Sequence, residues 1–239
     1  MDLNKAAVVA VVLVAGLMRG TTGFGGAILM APPLSFLIGP VPAVATALLL
    51  ETAAAVVMFP DAWPRINKPV LLYLIVPACI TIPIGGYLLI TLDPFIARKF
   101  IAAVVVVFSL GLLAGLRYSG SPRPATSVAL GSIVGVFLGA TSVGAPPVIP
   151  YLLSGPDPQT VTRANLTVFV TAISAIGFMM LIVAGAVTVR LGLSAGMLCI
   201  PYTAATWLGG ALFARLSDVG VRRLALGFML TMGIVGLIV

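Results

Sequence analysis

Residues 39–47 read GPVPAVATA, and residues 155–163 read GPDPQTVTR, so two stretches of the chain nearly repeat each other. Each stretch follows a passage rich in glycine and small polar residues. A shift of 119 places superposes four residues of the first passage on four of the second: Gly16, Gly20, Thr22 and Gly25 on Gly135, Gly139, Thr141 and Gly144. The chain is therefore a duplicated unit, with about half its length in each copy.

The composition places this duplicated unit in a membrane. Of 239 residues, 61% are hydrophobic and only 8% are charged, and the mean hydropathy is +1.23. Uncharged runs at 69–92, 164–189 and 191–214 each exceed the ~20 residues that cross a bilayer as helix. We predict an all-α polytopic protein, multi-pass in the plasma membrane (the bacterial inner membrane). Duplication around interrupted apolar segments is typical of transporters with a site between the repeats.

Composition also argues against several other classes. The net charge is +7, but the basic residues lie in short loops between apolar segments, which favours anchoring at the lipid bilayer over nucleic-acid binding. The chain has no histidine, and its two cysteines lack CxxC spacing. We therefore expect no haem, no metal site and no other cofactor.

Turn residues divide each copy into four elements. The first repeat spans residues 1–118, a polar linker spans 119–126, and the second repeat spans 127–239. The expected elements are 5–38, 41–60, 69–92 and 96–116 in the first repeat, and 125–154, 158–188, 191–214 and 220–239 in the second.

The first element of each repeat is too long for one span and is interrupted near Gly20–Gly26 or Gly139–Pro147. It is either a re-entrant helical hairpin or one broken span, followed by three transmembrane helices. A hairpin divides the loop Lys and Arg residues 8 to 4 between the two faces, whereas a broken span divides them 6 to 6. The positive-inside rule favours the hairpin. The second repeat is then inverted relative to the first, and both termini face outside.

The two interruptions are candidate anion sites. Irregular backbone at membrane depth survives only where it is buried in protein or lines a cavity, and each interruption precedes a helix, whose N-terminal N–H groups favour an anion. The alternative is that glycines at small-xxx-small spacing only allow helices to pack closely. The candidate substrate-binding residues are Arg19, Thr21, Thr22, Gly23, Gly25, Gly26, Thr141, Ser142, Gly144 and Ala145.

Two ionisable residues within the apolar segments have open roles. Glu51 lies near the middle of its segment, where an ionised carboxylate is costly unless it is paired or protonated. It is a candidate proton carrier or an ion-pair partner of Arg19, with a protonated structural glutamate as the alternative. The repeat counterpart of Glu51 is Thr167, so such a role is asymmetric. Arg19 neutralises an anionic substrate or extends to an interface.

Four further residues are candidates for the cavity. Arg163 and Asn165 follow the second GPDP stretch by about one turn and are expected at the cavity mouth. Tyr202 and Trp207 lie in the third element of the second repeat, and aromatic residues there also serve as interface anchors.

The glycine pattern also carries a family resemblance. The pattern G-x-x-x-G-x-x-G-x-G-G-x5-P of residues 16–32, the Pro40-x-Pro42-Ala43-x-Ala45-Thr46 stretch and the diverged second copy resemble the sulfite exporter TauE/SafE family over essentially the whole chain. The resemblance implies transport of sulfur-containing oxyanions such as sulfite, thiosulfate or organosulfonates. Ser142 and Ala145 stand where the first copy has Gly23 and Gly26, which departs from the glycine pattern.

The leading interpretation is a secondary transporter or facilitator that moves a small sulfur-containing anion, in the direction of export, bound at midplane between the two interruptions. Its partners are the anion, lipid and, as a candidate coupling ion, the proton; a homo-oligomer is left open. The alternatives are an anion channel or a membrane-embedded enzyme. The enzyme is disfavoured because the sequence offers neither a nucleophile–base pair nor a metal cluster, so no residue is assigned a catalytic role.

Overall fold

The apolar segments fold into helices in a computed structural model of the chain. The structure describes residues 3–22, 25–115, 118, 120, 122–213, 227 and 230–238. In this part of the chain there is no strand. Residues 230–238 are also helical, and Trp63–Arg65 forms a single 3-10 turn. The long helices are α1 (Leu3–Thr22), α2 (Gly26–Ile38), α3 (Pro40–Ala62), α4 (Lys68–Thr91), α5 (Pro94–Leu113), α6 (Pro124–Thr141), α7 (Ala145–Leu153), α8 (Gln159–Val183) and α9 (Val189–Phe213).

The sequence and composition of these helices suit a bilayer. Within the described ranges, five helices are long and apolar enough to cross a membrane: residues 68–91, 94–113, 124–141, 159–183 and 189–211. Residues 40–56 and 58–65, bent by 56°, give a sixth if they are counted as one span. Large apolar side chains point outward on several helices, among them Val183, Ile200 and Met197. The expectation of an all-α polytopic membrane protein is confirmed.

The two ends of each interrupted element lie toward the same end of the bundle. In the second half, the Tyr151 hydroxyl near the end of α7 donates to the Arg123 carbonyl, just before α6, at 3.2 Å and lies 2.6 Å from the Ser127 hydroxyl. In the first half, residues Lys5 and Val8 of α1 line one cavity together with Ile38, the last residue of α2. The start of α6 therefore lies beside the end of α7, and the start of α1 and the end of α2 border the same cavity.

Other contacts show which loops share one end of the bundle. The Asn67 backbone N–H donates to the Asn165 side chain at 2.8 Å, and the Asn67 side-chain amide donates to Asp157 at 3.0 Å. The α3–α4 connection therefore meets the α7–α8 connection. At α5, Lys99 donates to the carbonyl of Leu237, which places the helical tail beside this helix.

The halves interlock reciprocally. The helix that precedes each interruption packs on the third element of the other half: α1 packs on α9, and α6 packs on α4. In addition, α3 packs on α8. Glycines let the backbones approach at these crossings. A Cβ added at Gly20 would overlap the Thr206 carbonyl, and one added at Gly139 would overlap the Ile82 carbonyl. The same backbone contact thus occurs twice. The two glycines are 119 places apart in the sequence, and the two residues whose carbonyls they approach are 124 places apart.

Close packing at these helix crossings explains part of the glycine pattern. Gly16 and Gly20 lie closest to the backbone of α9. Gly131, Gly135 and Gly139 lie closest to atoms of α4. The small-xxx-small spacing therefore allows close helix packing, as the alternative interpretation predicted. This packing does not explain the interruptions that follow α1 and α6.

Candidate functional site

Both interruptions lie between two helices. In the first, α1 ends at Thr22 and α2 begins at Gly26, with Gly25 in the left-handed region at φ 94°. In the second, α6 ends at Thr141, Ser142 has φ 62°, and α7 begins at Ala145. Glycine adopts this backbone region without the steric cost that other residues have, and serine tolerates it less readily. The predicted positions of both breaks are confirmed.

A small cavity lies between the two turns. Its volume is about 20 Å³, which leaves room for about one water molecule. Side chains and backbone from both halves form its wall: Arg19, Gly25, Ala27, Ile28, Glu51, Leu138, Ser142, Val143, Gly144, Ala145, Val170, Ile173 and Ser174. The cavity therefore brings together parts of both predicted anion sites.

An ion pair forms one side of this cavity. Arg19 Nη1 on α1 lies 2.8 Å from Glu51 Oε2 on α3, and the two side chains are only 2% and 3% exposed. The position of Glu51 beside Arg19 is that of the ion-pair alternative. A buried charge of either sign is costly alone, so each residue compensates the other.

Glu51 has two further partners through its other oxygen. Glu51 Oε1 accepts the backbone N–H of Ala27 at 2.9 Å and the hydroxyl of Tyr202 at 2.8 Å. Ala27 is the second residue of α2, so the carboxylate sits at the positive end of that helix. A Cβ added at Gly26 would overlap both the Tyr202 hydroxyl and the Glu51 carboxylate. Glycine at position 26 is thus explained by the approach of these two side chains.

The hydrogen-bonding capacity of the pair is only partly used. Among the described residues, Arg19 Nε has no hydrogen-bond partner, and Glu51 Oε2 accepts no aligned hydrogen bond despite its short distance to Arg19. Buried polar atoms are usually satisfied. An almost fully buried guanidinium with spare donor capacity at a cavity wall is suited to a second acceptor, such as an oxyanion.

The residues predicted at the second break divide into two groups. Ser142, Gly144 and Ala145 line the cavity. Thr141 does not line it, because its hydroxyl donates to the Phe137 carbonyl at 2.7 Å and accepts the Val143 N–H at 3.2 Å. This side chain stabilises the turn itself. In the first break, Gly23 and the side chains of Thr21 and Thr22 lie outside the described residues.

The four further candidates lie in different places. Tyr202 is fully buried and holds Glu51. Asn165 is also buried, but it accepts the N–H of Asn67 at the end of the bundle and does not line the small cavity. Arg163 is exposed near the start of α8. Trp207 is 73% exposed, which fits its alternative role as an interface anchor.

Sequence reasoning missed the contribution of α8. Val170, Ile173 and Ser174 line the cavity, and none was a candidate. A signal was present, because Thr167, Thr171 and Ser174 are spaced four and three residues apart and all three are buried. Such spacing puts small polar side chains on one face of a helix.

A larger cavity opens near the start of α3, whereas Asn67 lies beyond the end of that helix. Its volume is about 780 Å³, and it is lined by Asn4, Lys5, Val8, Val9, Ile38, Pro42, Thr46, Thr188, Arg190, Leu191, Ser194, Ala195, Met197 and Leu198. Two of these, Lys5 and Arg190, are basic and exposed. Thr46 lies five residues before Glu51 on α3, and Leu198 lies four before Tyr202 on α9. At 1.5 Å per residue, the ion pair is thus ~6 to 8 Å beyond these lining residues.

The described residues hold no group of three or more His, Cys, Asp or Glu side chains that could bind a metal ion. The small cavity is bordered by a cation, a carboxylate and two helix N-termini, and a phenol donates to the carboxylate. Comparison with known families gives one match, to the family model described as Sulfite exporter TauE/SafE, over residues 8–236.

The chain belongs to the TauE/SafE family. The match covers nearly the whole chain, so the family resemblance that the glycine pattern indicated is confirmed. Proteins of this family are integral membrane transporters, and the five helices able to span a membrane agree with that assignment. No curated protein and no solved structure matches the chain.

Proposed function

We propose that this TauE/SafE protein is a secondary transporter that exports a small sulfur-containing anion such as sulfite, thiosulfate or an organosulfonate. The anion binds at Arg19, between the two helix interruptions. One observation carries the proposal: a guanidinium that is 2% exposed lies at the wall of a cavity shared by both halves, with donor capacity left over.

The chemistry around Arg19 suits an oxyanion. Guanidinium groups bind planar or tetrahedral oxyanions through two parallel N–H donors, and such charge-assisted bonds are stronger than neutral ones. The N-termini of α2 and α7 lie at Gly25–Gly26 and Gly144–Ala145, and helix N-termini add partial positive charge. Pro146 and Pro147 carry no N–H, so α7 offers few donors of its own. Arg19 is therefore the principal anchor.

Cavity size supports a carrier over an open pore. A volume of about 20 Å³ is too small for a sulfur oxyanion, which has at least four heavy atoms. The cavity must therefore widen before the anion binds, which happens when the helices around it move apart. The 780 Å³ cavity, which carries Lys5 and Arg190, lies on the face that the hairpin threading assigns to the outside, so it is the candidate exit for the exported anion.

The halves are proposed to be inverted repeats that move against each other. Reciprocal packing of α1 on α9 and of α6 on α4 supports this arrangement. The contacts of Asn67 with Asp157 and Asn165 also support it, because they join loops that a hairpin threading assigns to the same face. In inverted repeats, a site at the interface can be exposed to either side in turn.

A binding screen tests the proposal. The purified protein is melted in detergent with sulfite, thiosulfate, sulfoacetate, taurine, sulfate or simple carboxylates, since a ligand that binds only the folded state raises the melting temperature. We expect stabilisation by at least one of the first four compounds, and none in the matched double variant Arg19→Gln/Glu51→Gln. Equal stabilisation of both proteins by every anion would contradict a site at Arg19.

A further inference from the structure

The position that an anion would take near α2 is already held by a carboxylate of the protein. Glu51 pairs with Arg19, accepts the Ala27 N–H at the start of α2, and accepts the Tyr202 hydroxyl. These are a cation, a helix N-terminus and a side-chain donor, which are the groups that recognise an oxyanion. Glu51 thus satisfies these groups in the structure.

We propose that Glu51 is a resident counter-anion, which the transported anion displaces from Arg19, and that the displaced carboxylate takes up one proton per anion bound. The inference rests on the proposed function and adds its coupling ion. The step is a proton transfer: a bond to hydrogen in a hydronium ion or buffer acid breaks, an O–H bond forms at a Glu51 oxygen, and the anion takes over the contact with Arg19.

Electrostatics links the two events. Among the described residues that line the small cavity, Arg19 and Glu51 are the ionisable ones. Tyr202 is the titratable group that faces Glu51 from α9, while the nearby start of α2 contributes the Ala27 backbone. One buried cation cannot balance both the Glu51 carboxylate and the bound anion in a site of low dielectric, so uptake of a proton that lowers the excess negative charge by one is favoured. Glu51 is the group that can accept the proton.

The pair is arranged so that it can separate. Arg19 Nε and Glu51 Oε2 have no aligned hydrogen-bond partner among the described residues, so part of each group is free to interact with a ligand or a proton. The protonated carboxyl would keep the Ala27 and Tyr202 bonds through Oε1 and would carry its proton on Oε2. Neutralising Glu51 therefore requires no loss of its other two partners.

The coupling is confined to one half of the molecule. The repeat counterpart of Glu51 is Thr167 on α8, whose hydroxyl donates to the Arg163 carbonyl at 3.0 Å. It cannot gain or lose a proton near neutral pH. One proton site for one anion site gives a fixed ratio of about one proton per anion.

The sign of the pH dependence follows from this exchange. The anion complex holds one more proton than the empty protein, so anion affinity falls as pH rises, by up to about tenfold per pH unit. Thiosulfate is the suitable probe because its charge stays constant between pH 5.5 and 8, whereas sulfite itself takes up a proton near neutral pH. A change in affinity with pH then reports on the protein.

The experiment is titration calorimetry of the purified wild-type protein with thiosulfate at pH 7.5, in two buffers that differ in ionisation enthalpy. We expect an uptake of about one proton per anion. In Glu51→Gln we expect no uptake, an affinity independent of pH and at least tenfold tighter binding at pH 8, because Arg19 no longer has a competing carboxylate. Asp61→Asn is the matched control: it removes an exposed carboxylate near the end of the same helix and should behave as wild type.

Three outcomes would overturn the inference. Thiosulfate binding without proton uptake and without pH dependence in the wild type would do so while leaving the proposed function intact, and this test needs no variant. Proton uptake that persists in Glu51→Gln would assign the proton to another group. Failure of thiosulfate and the other screened anions to bind the wild type at pH 5.5 would overturn the proposed function, and the inference with it.

Discussion

Arg19 and Glu51 lie 2.8 Å apart on α1 and α3, and neither side chain is more than 3% exposed. Each is held where a lone charge could not stay ionised. The pair joins α1 to α3, at the wall of the cavity between the two interruptions. It is therefore both a structural contact and the candidate anion site.

The pair predicts a non-additive effect on stability. Arg19→Gln leaves the Glu51 carboxylate buried without its cation and should lower the free energy of unfolding by about 3–5 kcal/mol, or force the carboxyl to protonate. Glu51→Gln should destabilise for the converse reason. The double variant should recover most of the loss, because it removes both charges and keeps similar shapes.

Thermal unfolding of the four proteins in detergent, without added anion, measures this coupling. Losses that simply add in the double variant would mean that the two charges do not compensate each other.

Tyr202→Phe tests the hydroxyl that donates to Glu51. A hydrogen bond to a charged group contributes about 1.5–3 kcal/mol, so we expect a loss of that size. The ring stays, and packing is unchanged. Tyr87→Phe on α4 is the control, since Tyr87 is 66% exposed. The same melting assay compares them, and equal melting temperatures for the two variants would show that the Tyr202 hydroxyl contributes nothing measurable.

The close helix crossings predict that the effect of a glycine substitution on stability depends strongly on its position. In Gly20→Ala the new Cβ would overlap the Thr206 carbonyl and force α1 and α9 apart, which should destabilise by about 1–3 kcal/mol. Gly196→Ala on α9 is the matched control, because an added Cβ there meets nothing within 4 Å. That change should leave stability unchanged or raise it by up to about 1 kcal/mol. Similar losses in both variants would count against close packing at Gly20.

How far the sequence anticipates this structure depends on the range of the interaction. The helix interruptions could be located because Gly25, Gly144 and their neighbours act locally on the backbone. The Arg19–Glu51 pair was one of three alternatives for Glu51, since few other charges lie within the apolar segments. By contrast, the contact between Tyr202 and Glu51 joins residues 151 positions apart, and no local pattern encodes it. Ser174 was missed because small polar residues are common in membrane helices.

Topology is a separate prediction from the charge distribution. If both first elements are hairpins, the linker 119–126 lies in the cytoplasm and both termini lie outside. A reporter active only in the cytoplasm should therefore be active when it is inserted in the linker and inactive at the C-terminus. Activity at the C-terminus would contradict inverted threading of the two halves.

The central claim is that transport depends on an anion bound to Arg19, and flux in proteoliposomes tests it most directly. Wild-type protein and the double variant Arg19→Gln/Glu51→Gln are reconstituted in equal amounts, and uptake of radiolabelled sulfite or thiosulfate is measured against concentration. We predict saturable uptake in the wild type and uptake no faster than empty vesicles in the double variant, whose stability should be close to wild type. Saturable uptake of equal rate in both proteins would contradict the account.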